Sequence, residues 1–331
     1  MKLRKSLLAL GAAAALALTA CSGETTDTGD EGGNDAEPFE IGVIQYVSHD
    51  ALDDVTEGFL DELEQQGYGD GERVNIDLQN PQGDQGTLTA TANQFAQDGK
   101  DLVLGVATPA AQALAQALPD TPVVFAAVTD PVAADLVDSW DEPGGNVTGM
   151  SDMNPVDEQL KLLLELDPDI QTVGIVYSSG EINAEVQVEA AEEAAEELGL
   201  TIKKSTVSNS GEVQQAAESL KVDAYYVPTD NNVVAGLEGL IQIAEKAQVP
   251  VVSTDEGSVE RGAIAAQTVN YEQQGRDVAN MAIEILEGAD PAEMPVQTQD
   301  EFDLNVNPDA AERMGVEIPD DMMDRAVHVF D

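Results

Sequence analysis

From position 39 onward, short apolar runs bounded by charge or Gly alternate with longer stretches in which apolar residues recur every three or four positions. The runs at 41–46, 74–78, 102–106, 123–128, 173–177, 201–205, 223–227, 249–253 and 263–267 have the length and β-branched content of strands. The stretches 52–66, 87–97, 109–118, 156–166, 184–198, 213–220, 233–247 and 273–286 have helical spacing. Strict alternation of the two implies right-handed crossovers and parallel sheets, hence an α/β fold. Turn formers cluster at Pro143-Gly-Gly-Asn-Val-Thr-Gly149, where one series ends and a second begins. The expectation is two doubly wound parallel-sheet lobes.

The ends of the strands carry the candidate chemistry, because in open parallel sheets ligands sit beyond the carboxyl ends, beside helix N-termini. In the first half these ends are Ala107-Thr108 and Thr129-Asp130; in the second they are Pro228-Thr-Asp-Asn231 and Thr254-Asp255-Glu256. Thr108 reads as an N-cap, with Pro109 at the first helical position. The N–H groups of Ala110 and Ala111 would then lack intrahelical partners and, with the Thr108 hydroxyl, suit a carboxylate. Asp130, Asp230 and Glu256 are candidate acceptors for an ammonium, although each also fits a plain turn or helix cap.

Ahead of this body, Lys2, Arg4 and Lys5 precede an apolar run from Leu7 to Leu18, too short to span a bilayer and followed by small residues. Residues 1–20 read as an export signal. Leu18-Thr-Ala-Cys21 resembles a bacterial lipobox, in which the cysteine is lipidated and becomes the new N-terminus. Cys21 is also the sole cysteine, which excludes an intrachain disulfide and thiol catalysis in the body. Residues 21–38 have no large apolar side chain beyond that cysteine and read as a flexible acidic linker, with a reach on the order of 20–25 Å.

Charge narrows the partners. The formal net charge is −50, from 14 basic and 64 acidic residues, which excludes nucleic acid. Much of it lies on helix surfaces such as Glu189, Glu192, Glu193, Glu196 and Glu197, and fits either a high-salt habitat or an ordinary solvated acidic face. With His49 and His328 the only histidines, a three-His zinc site is impossible, and no G-x-S-x-G elbow or phosphate loop is present. Gly67-Tyr-Gly-Asp-Gly71 follows a helix and precedes a strand, the reverse of a dinucleotide motif, so it is a turn. The sequence therefore calls for no catalytic residue, metal or cofactor.

Several blocks together carry a resemblance: Ile41-Gly-Val-Ile-Gln45, Asp77-Leu-Gln-Asn-Pro-Gln-Gly-Asp84, Ala107-Thr-Pro-Ala-Ala-Gln112, Val128-Thr-Asp-Pro131, Gly144-Gly-Asn-Val-Thr-Gly149, Tyr177-Ser-Ser-Gly-Glu181, Val227-Pro-Thr-Asp-Asn231 and Gly275-Arg276. The chain is similar, over nearly all its length past the linker, to the tryptophan/tyrosine-type substrate-binding lipoproteins of ABC importers. The resemblance implies a type I periplasmic-binding-protein fold whose crossings lie near 148–150, 267–270 and 298–303. Lobe 1 would then comprise 39–149 plus 268–297, and lobe 2 150–267 plus 298–331. It implies a monomer, lipid-anchored on the extracytoplasmic face, that delivers an amino acid to permease and ATPase subunits. The implied ligand site draws on Gln45, Thr108, Ala110, Ala111, Thr129, Asp130, Ser178, Glu181, Thr229, Asp230, Asn231, Asp255 and Glu256. Asp230 is the first choice for the ammonium and Glu256 the second, with Asn231 and Gln45 orienting. Ser178 departs from relatives, which often have Asn there. An aromatic side chain needs a flat wall, for which Tyr46, Tyr177, Tyr225 and Tyr226 are the sources. A lipid-anchored hydrolase and a sensor module remain the alternatives.

Overall fold

The computed structural model describes residues 37–330; the signal stretch, Cys21 and most of the linker lie outside the described residues. The chain runs β1 (Phe39–Gln45), α1 (Asp50–Gln65), β2 (Val74–Gln79), α2 (Gln85–Asp98), β3 (Leu102–Val106), α3 (Thr108–Ala117), β4 (Val123–Val128) and β5 (Val147–Ser151). It continues α4 (Val156–Leu166), β6 (Thr172–Ser178), α5 (Ile182–Leu198), β7 (Thr201–Val207), α6 (Val213–Ser219), β8 (Ala224–Tyr226), α7 (Asn231–Ala235) and α8 (Leu237–Ala247). Last come β9 (Val251–Ser253), α9 (Glu256–Glu260), β10 (Ala265–Thr268), α10 (Tyr271–Leu286), β11 (Asp303–Val306), α11 (Pro308–Met314), α12 (Asp320–Arg325) and β12 (His328–Val329).

Two sheets result, ordered β2-β1-β3-β4-β5 and β12-β11-β10-β9-β8-β6-β7. Each has its own apolar core. The central strands β3 and β4 are buried along their whole length, as strands covered by helices on both faces must be. At one edge, β7 turns the exposed Lys203 and Lys204 outward, charges that discourage pairing with another sheet. Helix α1 buries Leu52, Val55, Phe59 and Leu63 at three- and four-residue spacing, and its partner is α10 from much later in the chain. The two backbones touch: a Cβ at Gly275 would lie 2.1 Å from the Val55 carbonyl oxygen.

The chain passes between the sheets three times: from β5 to α4, from β10 to α10, and through 297–302 into β11. Two of these passages are bonded together, Ser151 N–H donating to Gln297 O at 2.9 Å and Gln297 N–H to Gly149 O at 3.0 Å.

Three local expectations need correction. The first sheet is wholly parallel but the second is not: β11 runs antiparallel to β10, because it enters from the other lobe rather than through a covering helix. The helix expected over 233–247 is two helices broken at Gly236, where a side chain would meet the Ser210 carbonyl at 2.5 Å. The strand expected from 249 starts at Val251, after Pro250, which has no N–H to give to the ladder.

Candidate ligand-binding site

The carboxyl ends of both sheets face one another and enclose a small cavity of about 20 Å³. His49, Ala51, Leu52 and Ala127 line it from the first lobe, Asp152 and Tyr271 from the crossings, and Asn183, Thr229, Asp230, Asn231, Val234, Thr254 and Asp255 from the second. Outside it lies a second, open chamber of about 490 Å³, walled by Tyr46, Gln85, Pro109 and Gln112 on one side and by 178–181 and Asn232 on the other.

Backbone geometry sets the first-lobe wall. Ala107 and Ala127, at the ends of β3 and β4, have φ of +82° and +53°, conformations that cost side-chain-bearing residues energy. The Gln274 side chain holds the second: its oxygen accepts from Ala127 N–H at 2.9 Å, and its amide nitrogen donates to Ser151 O at 3.1 Å. Because Ala107 takes the N-cap position, Thr108 is already helical, and both Ala110 and Ala111 N–H groups donate to Ala107 O at 3.1 Å. The backbone donors expected to be free are therefore occupied. The Thr108 hydroxyl is buried without a partner.

Carboxylates dominate the interior. Asp152 accepts from the Thr129 hydroxyl on one oxygen and from the Tyr271 hydroxyl on the other, each at 3.1 Å, which leaves acceptor capacity on both. Burial raises its pKa to about 6, against those two hydrogen bonds. Asp230 is in a different position: it accepts from the Ser178 N–H and hydroxyl and from the Asn232 and Val233 N–H groups, capping α7. Its pKa is raised by burial, but its acceptor sites are largely spent. Glu181 takes hydrogen bonds from the side chains of Asn183, Asn231 and Asn232. Burial, then the neighbouring Asp230, pushes its pKa to about 7. Asp255 caps α9 through Ser258 N–H and accepts the Ser258 hydroxyl.

The remaining expected residues divide clearly. Thr229 reaches the cavity and is held by Gln187, which donates to its hydroxyl and accepts its N–H, both at 2.7 Å. Asn231 lines the cavity, Thr129 acts through Asp152, and Ser178 faces the outer chamber. Gln45 does not face the cleft: its amide is used by Val47 O, the Asp53 carboxylate and the Thr56 hydroxyl, which tie it to α1. Asp130 caps a turn through the N–H groups of Val132 and Ala133. Glu256 is half-buried beside His328 and Asp303 rather than in the cavity. Tyr225 and Tyr226 are core residues, their hydroxyls bonded to Ala217 O and Gln159.

Sequence reasoning missed His49, Asp152, Asn183 and Tyr271. Asp152 follows β5, a strand concealed in the turn-rich join; His49 stands at the N-cap position of the helix after β1, without a side-chain capping bond, and falls under the same strand-end rule as Thr108. Burial holds the His49 ring below its ordinary pKa, against the pull of the Asp255 and Asp53 carboxylates. Neither of its nitrogens has a partner, and the same is true of Asn183 Oδ1 and the Thr254 hydroxyl, both on residues that line the cavity. Unpaired buried polar atoms are costly, and their concentration around one cavity marks a place built for a polar molecule.

Two sheet lobes joined by three crossings, with polar strand ends facing across a cleft, define a type I periplasmic-binding-protein fold. A family described as ABC transporter substrate binding protein matches residues 40–330, and the chain belongs to it; this is a family of solute-binding proteins and not of enzymes. A tyrosine-binding protein of Clostridioides difficile is 36% identical over 321 residues, covering 95% of this chain and 93% of its own. A domain from Streptococcus pneumoniae solved in complex with L-Trp is 37% identical, covers 89% of this chain and 100% of its own, and superposes with a TM-score of 0.86. The ligand-free, open structure of a substrate-binding protein with adhesive properties from Clostridium difficile is 41% identical over 88% of this chain and 99% of its own, yet its TM-score is 0.67.

Proposed function

We propose that this chain is a lipid-anchored, extracytoplasmic binding protein that captures an aromatic α-amino acid between its lobes and passes it to an ABC permease and ATPase. The carrying observation is Asp152: a fully buried carboxylate with acceptor capacity on both oxygens, in a cavity that no Lys or Arg lines. Such a group favours a cation, and an α-ammonium supplies one. Partnerless groups around it, the Thr254 hydroxyl and the His49 ring, supply donors for the ligand carboxylate. Tyr271 in the inner cavity and Tyr46 in the outer chamber replace Tyr225 and Tyr226 as sources of an aromatic wall. The ligand class is supported by the tyrosine-binding relative and by the L-Trp complex, and the closer superposition on that complex than on the open relative fits a closed conformation here.

The inner cavity of about 20 Å³ holds little more than a water molecule, so any amino acid enters only if the lobes part; a second reading is a compact amino acid, which needs the smaller opening. A thermal-shift panel of the twenty amino acids separates the two. Stabilisation by Trp, Tyr or Phe is expected, and stabilisation confined to Gly, Ala or Ser would overturn the aromatic assignment. The anchor rests on Cys21: Cys21→Ser should move the chain from the membrane fraction to the medium, and unchanged membrane retention would refute lipidation.

A further inference from the structure

Helices α1 and α9 belong to different sheets and meet across the cleft. Their N-caps, His49 and Asp255, both line the inner cavity. One residue into α1 stands Asp50, and two residues past Asp255 stands Gly257, which is buried. A Cβ built on Gly257 would lie 2.4 Å from Asp50 Cβ and 2.5 Å from its Oδ2. A carboxylate can rotate out of the way; a Cβ is fixed by its own backbone and cannot. The interlobe approach at this point therefore tolerates hydrogen and nothing larger, whereas in parted lobes a methyl group there would meet no such obstacle.

We propose that Gly257 is a positioning residue for ligand capture: its missing side chain lets α9 seat against Asp50, and that contact brings His49 and Asp255 to their places around the solute. The inference rests on the reading of the cleft as a ligand site. It requires no special backbone conformation at 257, only the close approach, and helix propensity itself favours alanine over glycine there. Alanine at this position should thus leave folding intact while obstructing closure, opposite effects that a purely structural glycine would not show.

The experiment is a size-exchange cycle on the full chain with L-tryptophan as probe, read by calorimetry and small-angle scattering. Gly257→Ala should weaken binding by about tenfold or more with an unchanged or raised melting temperature, and the saturated profile should stay expanded. Asp50→Gly removes the opposing Cβ, so the double variant should recover affinity and compaction. Wild-type affinity in Gly257→Ala, or a double variant no better than the single, overturns the proposal. Should the wild-type chain ignore L-tryptophan, the ligand reading alone falls. The closure contact is then judged with the amino acid that stabilises the wild type in the thermal-shift panel, where Gly257→Ala must weaken binding and Asp50→Gly must restore it, and equal affinities overturn the proposal.

Discussion

Asp152 and Asp230 are both buried aspartates at the same cavity, yet their hydrogen bonds assign them opposite work. Asp230 satisfies four donors and holds the start of α7 against β6, so its neutral isostere would lose acceptor capacity and destabilise the second lobe. Asp152 meets two hydroxyls, which can turn to suit an amide. Asp152→Asn should therefore weaken amino-acid binding by roughly 1.5–3 kcal/mol, the loss of a charged acceptor, while the ligand-free melting temperature holds or rises. Calorimetry beside a thermal melt checks both signs, and a variant that binds normally removes Asp152 from the ammonium site. From sequence, Asp230 is the first choice of acceptor on the family resemblance and the shared rim of strand ends, and Asp152 is not among the candidates. Which lone pairs are already taken depends on Ser178, a residue 52 positions away, and no local pattern reports that.

At the scale of elements, legibility followed local pattern. Strands covered on both faces, such as β3 and β4, are continuous apolar runs and could be read directly. Strand β5, VTGMS, is equally buried, but it sits beside turn-forming residues and owes its pairing to β4 and to the Gln297 passage. Strands β11 and β12 have four and two residues, and they form because the returning chain is laid along β10. Such elements are produced by tertiary context and leave little periodicity behind. The cap of α3 illustrates the same limit: Thr108-Pro109 has the composition of a helix start, and the positive φ of Ala107 shifts that start by one residue and closes off the expected N–H donors.

Across the whole molecule, the two lobes share one electrostatic environment. Tyr46 of the first lobe is pushed to about 12 by burial and by Glu181 and Asp230 of the second. Glu181 itself rises from 4.5 to about 7. An acid whose folded pKa is raised takes up a proton on folding, so its contribution is greatest below about pH 4.5 and is lost as pH climbs through about 7. His49, lowered by burial, works in the opposite sense as pH falls below 6.5, which makes the bare stability profile a poor test. The difference between wild type and Glu181→Gln isolates the carboxyl group: by calorimetry, the wild type should lose melting temperature relative to the variant between pH 5 and 8. A constant difference would show that Glu181 keeps one protonation state throughout.

The three crossings also govern when the molecule can exist at all. Helix α1 is made early, but the surface that covers its apolar stripe belongs to α10; the second sheet begins with β6 and finishes only with β12, at the end of the described chain. Neither lobe can be completed from the amino end alone. A chain that emerges or is threaded N-terminus first therefore carries uncovered hydrophobic surface for most of its passage, unable to lock into a finished domain until its last segments arrive. A chain cut before α10 should therefore leave the apolar stripe of α1 without its cover.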